Sequence, residues 1–279
     1  MNLLDLAING YKPTPIELDA FATVKKNQRN QMKVTTGPTF QNMELVTNIT
    51  DPALIETVQV ELNGTMIVDV TGTELKMIEG YTKRNRANGR YVIPFCRTEA
   101  KTLDGARTGE LVTLPTDNIT VYVKLGDTGV TEPEMRARAL VTPAQSVRVF
   151  IPKLDSVNIN ASTTGMNRFS WDNRSPNLHI RRLHFYRADM TRLEVWRDDL
   201  RVFEASDVDN AADLAEGNDN APQAGIFHFD PAHMGYQLQG LFATIARKSL
   251  EFRYWAGSTG NVKVLRETIE QVAPIGQAA

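Results

Sequence analysis

The stretch Thr57-Val-Gln-Val-Glu-Leu-Asn-Gly64 is a β-strand pattern that ends in a turn. Its apolar residues alternate with polar ones, which places them on one face of a strand. Asn-Gly is the strongest short hairpin signal, because both residues tolerate the positive φ angles of a type I′ turn. A similar stretch, Arg192-Leu-Glu-Val-Trp-Arg-Asp-Asp199, follows later. Val60 and Val195 occupy matching positions in the two stretches, and their separation defines a repeat offset.

Two further segments repeat in the same order. The apolar strand Arg90-Tyr-Val-Ile-Pro-Phe95 has its counterpart, at the same repeat offset, in Gly225-Ile-Phe-His-Phe-Asp230. Tyr122-Val-Lys-Leu-Gly-Asp-Thr-Gly129 matches Arg253-Tyr-Trp-Ala-Gly-Ser-Thr-Gly260, and the two pairs of glycines share one slightly shorter offset. Solenoid repeats are far shorter than this period, so the pattern predicts two similar β domains in tandem.

The pattern of apolar, polar and turn-forming residues divides the chain into four parts. We expect an N-terminal arm (1–31), a first jelly roll (32–130), a connector (131–145) and a second jelly roll (146–279). Short strands with few helices between them favour antiparallel sandwiches over a βαβ layout. The predicted fold class is therefore all-β, with two tandem jelly-roll domains, each an eight-stranded β-sandwich, and few short helices.

Several local patterns give more specific expectations. The connector is expected to hold one or two helical turns around Met135–Leu140. The clearest helix is predicted within Pro231–Ser249, where four apolar residues from Leu238 to Ile245 follow i, i+3, i+4, i+7 spacing. The polar stretches Ser156–Asn177 and Ala205–Ala224 are predicted to be loops.

The composition is that of a globular protein of 279 residues and 31.1 kDa, with a formal net charge of −2. Acidic and basic residues are interspersed, and no basic stripe of the kind used for direct nucleic-acid binding is evident. The single cysteine, Cys96, excludes an intrachain disulfide and is expected to be a small buried apolar residue. Without a signal peptide or a long apolar run, we expect a soluble protein folded in a reducing cytoplasm.

The candidate metal site is an acidic run in the second half. Hard-cation loops place carboxylates at short intervals, but Ala211 and Ala212 stand where an EF-hand would have a ligand and its turn glycine. A structural calcium ion and a plain solvated loop both remain open, and the solvated loop is favoured. The run consists of Asp207, Asp209, Asp213, Glu216 and Asp219.

Other chemistry-bearing residues give weaker signals. The pairs His179/His184 and His228/His233 are each five apart, which on a strand places the two members on opposite faces and prevents chelation. Trp171, Trp196 and Trp255 are expected in the core or at an interface, with a sugar-stacking platform as the alternative. No nucleotide-binding or hydrolase motif occurs. No catalytic, cofactor-binding or metal-binding residue is therefore predicted, and the chain is not expected to be an enzyme.

The chain resembles the major capsid proteins of tailless, membrane-containing icosahedral phages, most closely the corticovirus type. The resemblance rests on order and spacing from Met32 onward. The best-matching segments are Val58–Gly64 with the basic pair Lys83-Arg84 behind it, Leu178–Val195, and a helix at 240–248 leading into the strand 250–255.

This resemblance implies a structural subunit of a virion. Homotrimers would form pseudo-hexameric capsomers that tile an icosahedral shell around an internal membrane. The implied partners are neighbouring capsomers, a vertex (penton) protein and the internal membrane or its proteins, without sequence-specific binding of nucleic acid. The protein would be made in the host cytoplasm and function in the capsid.

Two rival functions stay open at this point. A carbohydrate-binding or receptor-binding spike protein built on tandem β-sandwiches would present exposed tryptophans. A sandwich-fold enzyme would instead have a cleft with convergent carboxylates or histidines.

Overall fold

The structure, a computed structural model, describes residues 13–84, 87–97, 108–127, 129–218, 220–233 and 240–274. The chain divides into two compact units. The first comprises Met1–Glu79, Asn85–Pro152 and Gln271–Ala279, and the second comprises Gly80–Arg84 and Lys153–Glu270. No helix among the described residues has the length and apolar character needed to cross a membrane.

The first half of the chain forms two sheets, with strand orders β1-β9-β3-β6 (β7 also pairs with β3) and β5-β4-β8-β2. Between β5 and β6 lies the helix α1, Gly72–Tyr81. The strands are β1 (Thr14–Glu17), β2 (Arg29–Val34), β3 (Thr39–Thr47), β4 (Ile55–Leu62), β5 (Thr65–Val70), β6 (Arg90–Pro94), β7 (Leu111–Val112), β8 (Ile119–Leu125) and β9 (Met135–Thr142).

The second half repeats this plan, with strand orders β15-β12-β18-β10 (β16 also pairs with β12) and β11-β17-β13-β14. Between β14 and β15 lies the helix α2, Asp207–Asn218. The strands are β10 (Phe150–Ala161), β11 (Gly165–Ser170), β12 (Leu178–Tyr186), β13 (Met190–Arg197), β14 (Leu200–Ser206), β15 (Ile226–Phe229), β16 (Phe242–Ala243), β17 (Leu250–Ala256) and β18 (Gly260–Gln271).

The two sheets of the second unit pack face to face over an aromatic core. Phe185 on β12 and Tyr254 on β17 belong to one buried cluster, with ring centroids 6.4 Å apart. Phe229 on β15 approaches Phe252 on β17 edge-on at 5.8 Å. Full burial of one such side chain stabilises the fold by roughly 1.5–3 kcal/mol. The prediction of an all-β protein with two tandem jelly-roll sandwiches is confirmed.

The predicted repeat is visible in the hairpins. β4 and β5 are joined by Asn63 (φ 51°) and Gly64 (φ 82°), as expected for a type I′ turn. β13 and β14 are joined by Asp198 (φ 49°) and Asp199 (φ 69°), which follow at the repeat offset. The same turn geometry therefore recurs without the Asn-Gly sequence.

Irregularities in the strand pairing also repeat. The ladder between β4 and β8 shifts register between Ile55 and Thr57, and the ladder between β13 and β17 shifts between Met190 and Arg192. These positions are again separated by the repeat offset. β-Bulges change the local twist and re-aim the side chains that follow, so sharing one at the same place gives both units the same curvature.

The two helices begin at equivalent positions with equivalent N-caps. The Thr71 hydroxyl accepts a hydrogen bond from the backbone N–H of Glu74, and the Ser206 hydroxyl accepts one from that of Asp209. Thr71 and Ser206 are themselves related by the repeat offset. This contact satisfies a backbone donor that the first helical turn leaves unpaired.

The acidic stretch expected to be the loop Ala205–Ala224 instead contains α2. Asp207 and Asp209 lie in its first turn, where carboxylates are stabilised by the helix dipole. Leu214 is buried beneath the helix. Closely spaced carboxylates are typical of loops, but they are equally suited to a helix N-terminus. Asp219 lies outside the described residues.

The expectation of a helix within Pro231–Ser249 is wrong for the part of this segment that the structure describes, residues 240–249. Phe242 and Ala243 form the strand β16, which pairs with Ile180 and His179 of β12. The Phe242 ring packs edge-on against Phe229 at 5.6 Å. Pairing with an existing sheet edge overrides the local helical periodicity here. Residues 234–239, which include Leu238, lie outside the described part of the chain.

The connector expected at 131–145 contains the strand β9 and not helical turns. Met135, Ala137, Ala139 and Val141 are buried in strict alternation with more exposed residues. β9 pairs with β1 on one side and β3 on the other. The alternation is present in the sequence, but small alanines make its apolar face hard to recognise.

Two further expectations are corrected by strand pairing. The N-terminal arm expected at 1–31 contributes Thr14–Glu17 to the first sheet and residues 29–31 to β2, while residues 1–12 lie outside the described part. The loop expected at Ser156–Asn177 contains much of β10 and all of β11. Both segments are polar on their exposed faces, which hides the strand pattern.

We predict that Gly89→Ala destabilises the first unit more than Gly64→Ala. Both glycines have positive φ, but a Cβ at Gly89 would lie 2.4 Å from the backbone oxygen of Thr47, whereas one at Gly64 meets nothing within 4 Å. Left-handed strain alone costs roughly 1–2 kcal/mol, and the clash adds to it. Urea denaturation should show the larger loss for Gly89→Ala; equal losses would contradict the close approach.

Candidate functional site

A concentrated group of polar side chains is buried in the second unit. Leu183 and Phe185 on β12 point into the aromatic core, so His184 between them points to the opposite face of the sheet. The strand register places His228 of β15 beside it. The whole buried network, every member 4% exposed or less, consists of Tyr81, Arg181, Arg182, His184, His228, Asp230 and Glu267.

The hydrogen bonds around the two histidines define their tautomers. The backbone N–H of Gln223 donates to Nε2 of His228, so His228 carries its proton on Nδ1. That proton is donated to Nδ1 of His184, 2.6 Å away. His184 then donates from Nε2 to Oε1 of Glu267 at 3.0 Å. Both imidazoles are therefore neutral, and each ring nitrogen has a partner.

The charged members of the network balance one another. Arg182 Nε donates to Oδ2 of Asp230 at 2.8 Å, and its Nη1 lies 3.7 Å from Oε1 of Glu267. Arg181 Nη1 lies 3.8 Å from Oε2 of Glu267. Two guanidinium groups thus face two carboxylates. Buried ions are tolerated only with such pairing, because removal of one partner leaves an uncompensated charge.

Tyr81, in the segment Gly80–Arg84 of the second unit, covers the histidine pair. Its ring stacks on His228 with centroids 4.4 Å apart and planes at 25°. Its hydroxyl donates to Oδ2 of Asp230 and accepts from Nδ2 of Asn220, both at 3.2 Å. The backbone carbonyl of Tyr81 also accepts from the N–H of Ala221. Tyr81 therefore ties the 220–223 loop to the sheet.

The electrostatic environment shifts two pKa values strongly. Burial, with smaller contributions from His184 and Arg182, lowers the pKa of His228 to about 2, while Glu267 opposes the shift. Burial by itself raises the pKa of Glu267, but Arg182, His184 and Arg181 outweigh it and lower this pKa to about 2. Both shifts favour the same state, a neutral His228 beside an ionised Glu267.

This geometry suits a structural role better than chemistry. The network has the ingredients of a general-base site, but its members are closed off from solvent and from any substrate. Two nitrogens bound to one tetrahedral ion lie about 3.4 Å apart at normal bond lengths, farther than the 2.6 Å between these Nδ1 atoms. No group of three metal-ligating side chains occurs among the described residues.

Sequence spacing pairs the histidines along each strand, whereas the structure pairs His184 with His228 across two strands. His179 lies half-buried on β12, where burial lowers its pKa, and Nδ1 of His233 contacts the backbone oxygen of Asp230 at 2.9 Å. The two members of neither sequence pair come together. A contact between residues so far apart along the chain depends on strand register, for which one sequence carries no direct signal.

The three tryptophans are largely covered. Trp171 is 5% exposed and donates from its indole N–H to the backbone oxygen of Asn173. The guanidinium of Arg253 lies 4.3 Å above the ring of Trp196, and that of Arg192 lies 4.9 Å from the ring of Trp255. A guanidinium group therefore occupies one face of the Trp196 ring and one face of the Trp255 ring. Cys96 is buried, as expected.

Comparison with known sequence families decides the family of this chain. The model of the viral coat protein P2 N-terminal domain matches residues 15–142, and that of the viral coat protein P2 C-terminal domain matches residues 151–272. The chain belongs to the viral coat protein P2 family. No curated protein sequence matches it. The two matched segments each correspond to one copy of the structural repeat.

Solved structures show the same fold in this coat protein and in capsid proteins. The major capsid protein P2 from bacteriophage PM2 has a TM-score of 0.85 at 17% identity, covering 95% of this chain and 100% of that chain. The major capsid protein of Sulfolobus Turreted Icosahedral Virus has a TM-score of 0.66 at 13% identity, covering 96% and 99%. The PBCV-1 virus capsid protein has a TM-score of 0.62 at 9% identity, covering 96% and 97%.

This P2-family protein is a viral capsid protein with the double jelly-roll fold. Membership of a coat-protein family gives it a structural role, located in the virion capsid and in contact with neighbouring subunits. The buried network is consistent with such a role, because it fixes strands and a loop in place without exposing a reactive group.

We predict that acidification destabilises the second unit of this coat protein through His228. The unfolded chain binds a proton near pH 6.5 that the folded chain resists until about pH 2, so stability falls as pH drops below 6.5. Glu267 adds to the loss below pH 4.5. The free energy of unfolding should decrease by up to about 1.4 kcal/mol per pH unit between pH 6.5 and 5.

The variant His228→Asn retains a donor toward His184 but cannot titrate. It should be less stable at pH 7.5 and show a shallower pH dependence in urea titrations from pH 7.5 to 5. The matched control is His233→Asn, because His233 does not belong to the buried His184/His228 pair. This variant should retain the wild-type dependence of stability on pH. A wild-type slope in His228→Asn would contradict the assignment.

Proposed function

We propose that this chain is a major capsid protein whose homotrimers form pseudo-hexameric capsomers. The observation that carries the proposal is the internal repeat, in which the strand order recurs and the hairpin turns, bulges and helix caps share one offset along the chain. Three copies of a chain with two similar units offer six similar edges, and closed rings are the usual arrangement of identical subunits.

In this proposal the capsomers tile an icosahedral shell around an internal membrane. Their partners are neighbouring capsomers, a vertex protein, and the membrane or its proteins, and the chain is made in the host cytoplasm. The net charge of −2 supports separation from the genome, since a protein that packs directly on nucleic acid needs many phosphate-neutralising cations. Interspersed charges suit many modest contacts, where opposite charges set register.

The trimer is tested by light scattering on the purified full-length protein across a concentration series. We expect a stable species of about 93 kDa, three times the chain mass of 31.1 kDa. Electron microscopy at higher concentration should then show hexagonal tiles. A monomer at every concentration and salt condition would contradict the proposal.

We further propose that the capsomer needs no cofactor, and no calcium ion at the acidic run. Four of its five acids lie within α2, where Asp209 already accepts a hydrogen bond from the Ser206 hydroxyl. Dialysis against EGTA should leave the sedimentation coefficient and melting temperature unchanged. A fall in either that calcium, but not magnesium, restores would show that a structural calcium ion is needed.

A further inference from the structure

The two helices of the repeat differ in exposure although they are equivalent in position. In α1, Met77 and Ile78 are 8% and 4% exposed, and Tyr81 is fully buried. Their counterparts in α2, at the repeat offset, are Ala212, Asp213 and Glu216, and all three are exposed. The second helix thus presents to solvent the face that the first helix has covered.

The end of α1 packs against one face of a sheet in the second unit. Tyr81 lies against His184 and His228, on the face of β12 and β15 that points away from the aromatic core. In this ladder His184 pairs with His228 on one side and with Leu265 on the other. The receiving surface is therefore three adjacent strands, β18, β12 and β15.

The first unit has an equivalent surface on β9, β3 and β6. Glu44 occupies the place of His184, since it pairs with Val92 on one side and Arg138 on the other, while its neighbours Met43 and Leu45 are core residues. Val92, which pairs with Glu44 as His228 pairs with His184, is only half-buried, whereas His228 is covered by the Tyr81 ring.

The exposed helix α2 and the partly buried surface on β9, β3 and β6 are complementary in charge. Within α2, all the charged residues are acidic. On β9, β3 and β6, Arg90 lies 3.3 Å and Arg138 4.0 Å from Glu44, and both arginine side chains are 32% exposed. Together with β1, this surface carries three arginines against two glutamates: Arg90, Arg136, Arg138, Glu17 and Glu44.

We propose that α2 of one copy docks, through Asp213 and Glu216, on the surface around Arg90 and Arg138 of the next copy. This contact between two chains is the counterpart of the contact that the end of α1 makes with β18, β12 and β15 within one chain. Because the two patches are different parts of the chain, the contact is heterologous, and three copies related by a rotation that closes would form a ring. The inference rests on the proposed trimer and names the surfaces that hold it together.

Charge reversal tests the contact. Asp213→Arg combined with Glu216→Arg should raise the apparent dissociation constant of the trimer by at least roughly tenfold, because like charges would then face each other. Asp172→Arg, a reversal at another exposed acid of the second unit, is the matched control and should leave assembly unchanged. Circular dichroism and melting curves confirm that each variant folds.

Rescue makes the test specific. Adding Arg90→Glu, Arg138→Glu and Glu44→Lys to the reversed helix should restore the trimer toward the wild-type dissociation constant, while these three changes alone should weaken it. Glu44→Lys is included because it keeps the ion pairs of these three residues, with the charges exchanged. In addition, Glu216→Cys with Val92→Cys, treated with a short bis-maleimide, should give covalent dimers and trimers on denaturing gels. Either single-cysteine variant should remain at the monomer mass, since Cys96 is buried.

The outcomes separate this inference from the function it rests on. A wild-type trimer that the helix reversal does not weaken, or a double-cysteine variant that stays monomeric, would overturn the docking surface and leave the capsomer intact. A wild-type chain that is monomeric at every concentration would overturn both.

Discussion

The architecture of this capsid protein depends on one constraint, the register of the antiparallel ladder between β4 and β8 and its copy between β13 and β17. Side chains alternate between the two faces of a strand, so a slip by one residue would turn every core residue toward solvent. In both ladders the strand contains a bulge at the same position, between Ile55 and Thr57 and between Met190 and Arg192. The hairpin turns and the helix caps recur at the same offset as that bulge.

The buried charge network depends on the register of β12, β15 and β18. His184, His228 and Glu267 come from three different strands, and each supplies the hydrogen-bond partner that another needs. Because the guanidinium and carboxylate charges balance, the network specifies one arrangement of β12, β15 and β18 at a tolerable desolvation cost. Its enclosure fits the structural role of a capsid protein, because it fixes the strands in place.

The two copies of the repeat have similar backbones but different side chains on their surfaces. Where the first helix ends in the buried Tyr81, the second exposes Glu216, and where the second unit has His184, the first has Glu44 flanked by arginines. Duplicated units in one chain can keep the same fold while the surfaces that remain uncovered acquire complementary charge. Two patches that differ in this way favour a heterologous contact between copies over a symmetric one.

The sequence by itself determined the repeat, the all-β class and the turn at Asn63-Gly64, because alternation and turn chemistry are local properties that short segments carry. It also indicated the family, through order and spacing over most of the chain. Only the tertiary structure decided that β9 is an interior strand, that Phe242–Ala243 joins β12, that the acids at 207–216 form a helix, and that His184 meets His228. Each of these depends on hydrogen bonds or burial between residues far apart in sequence, and such pairing can override local periodicity or act where no local pattern exists.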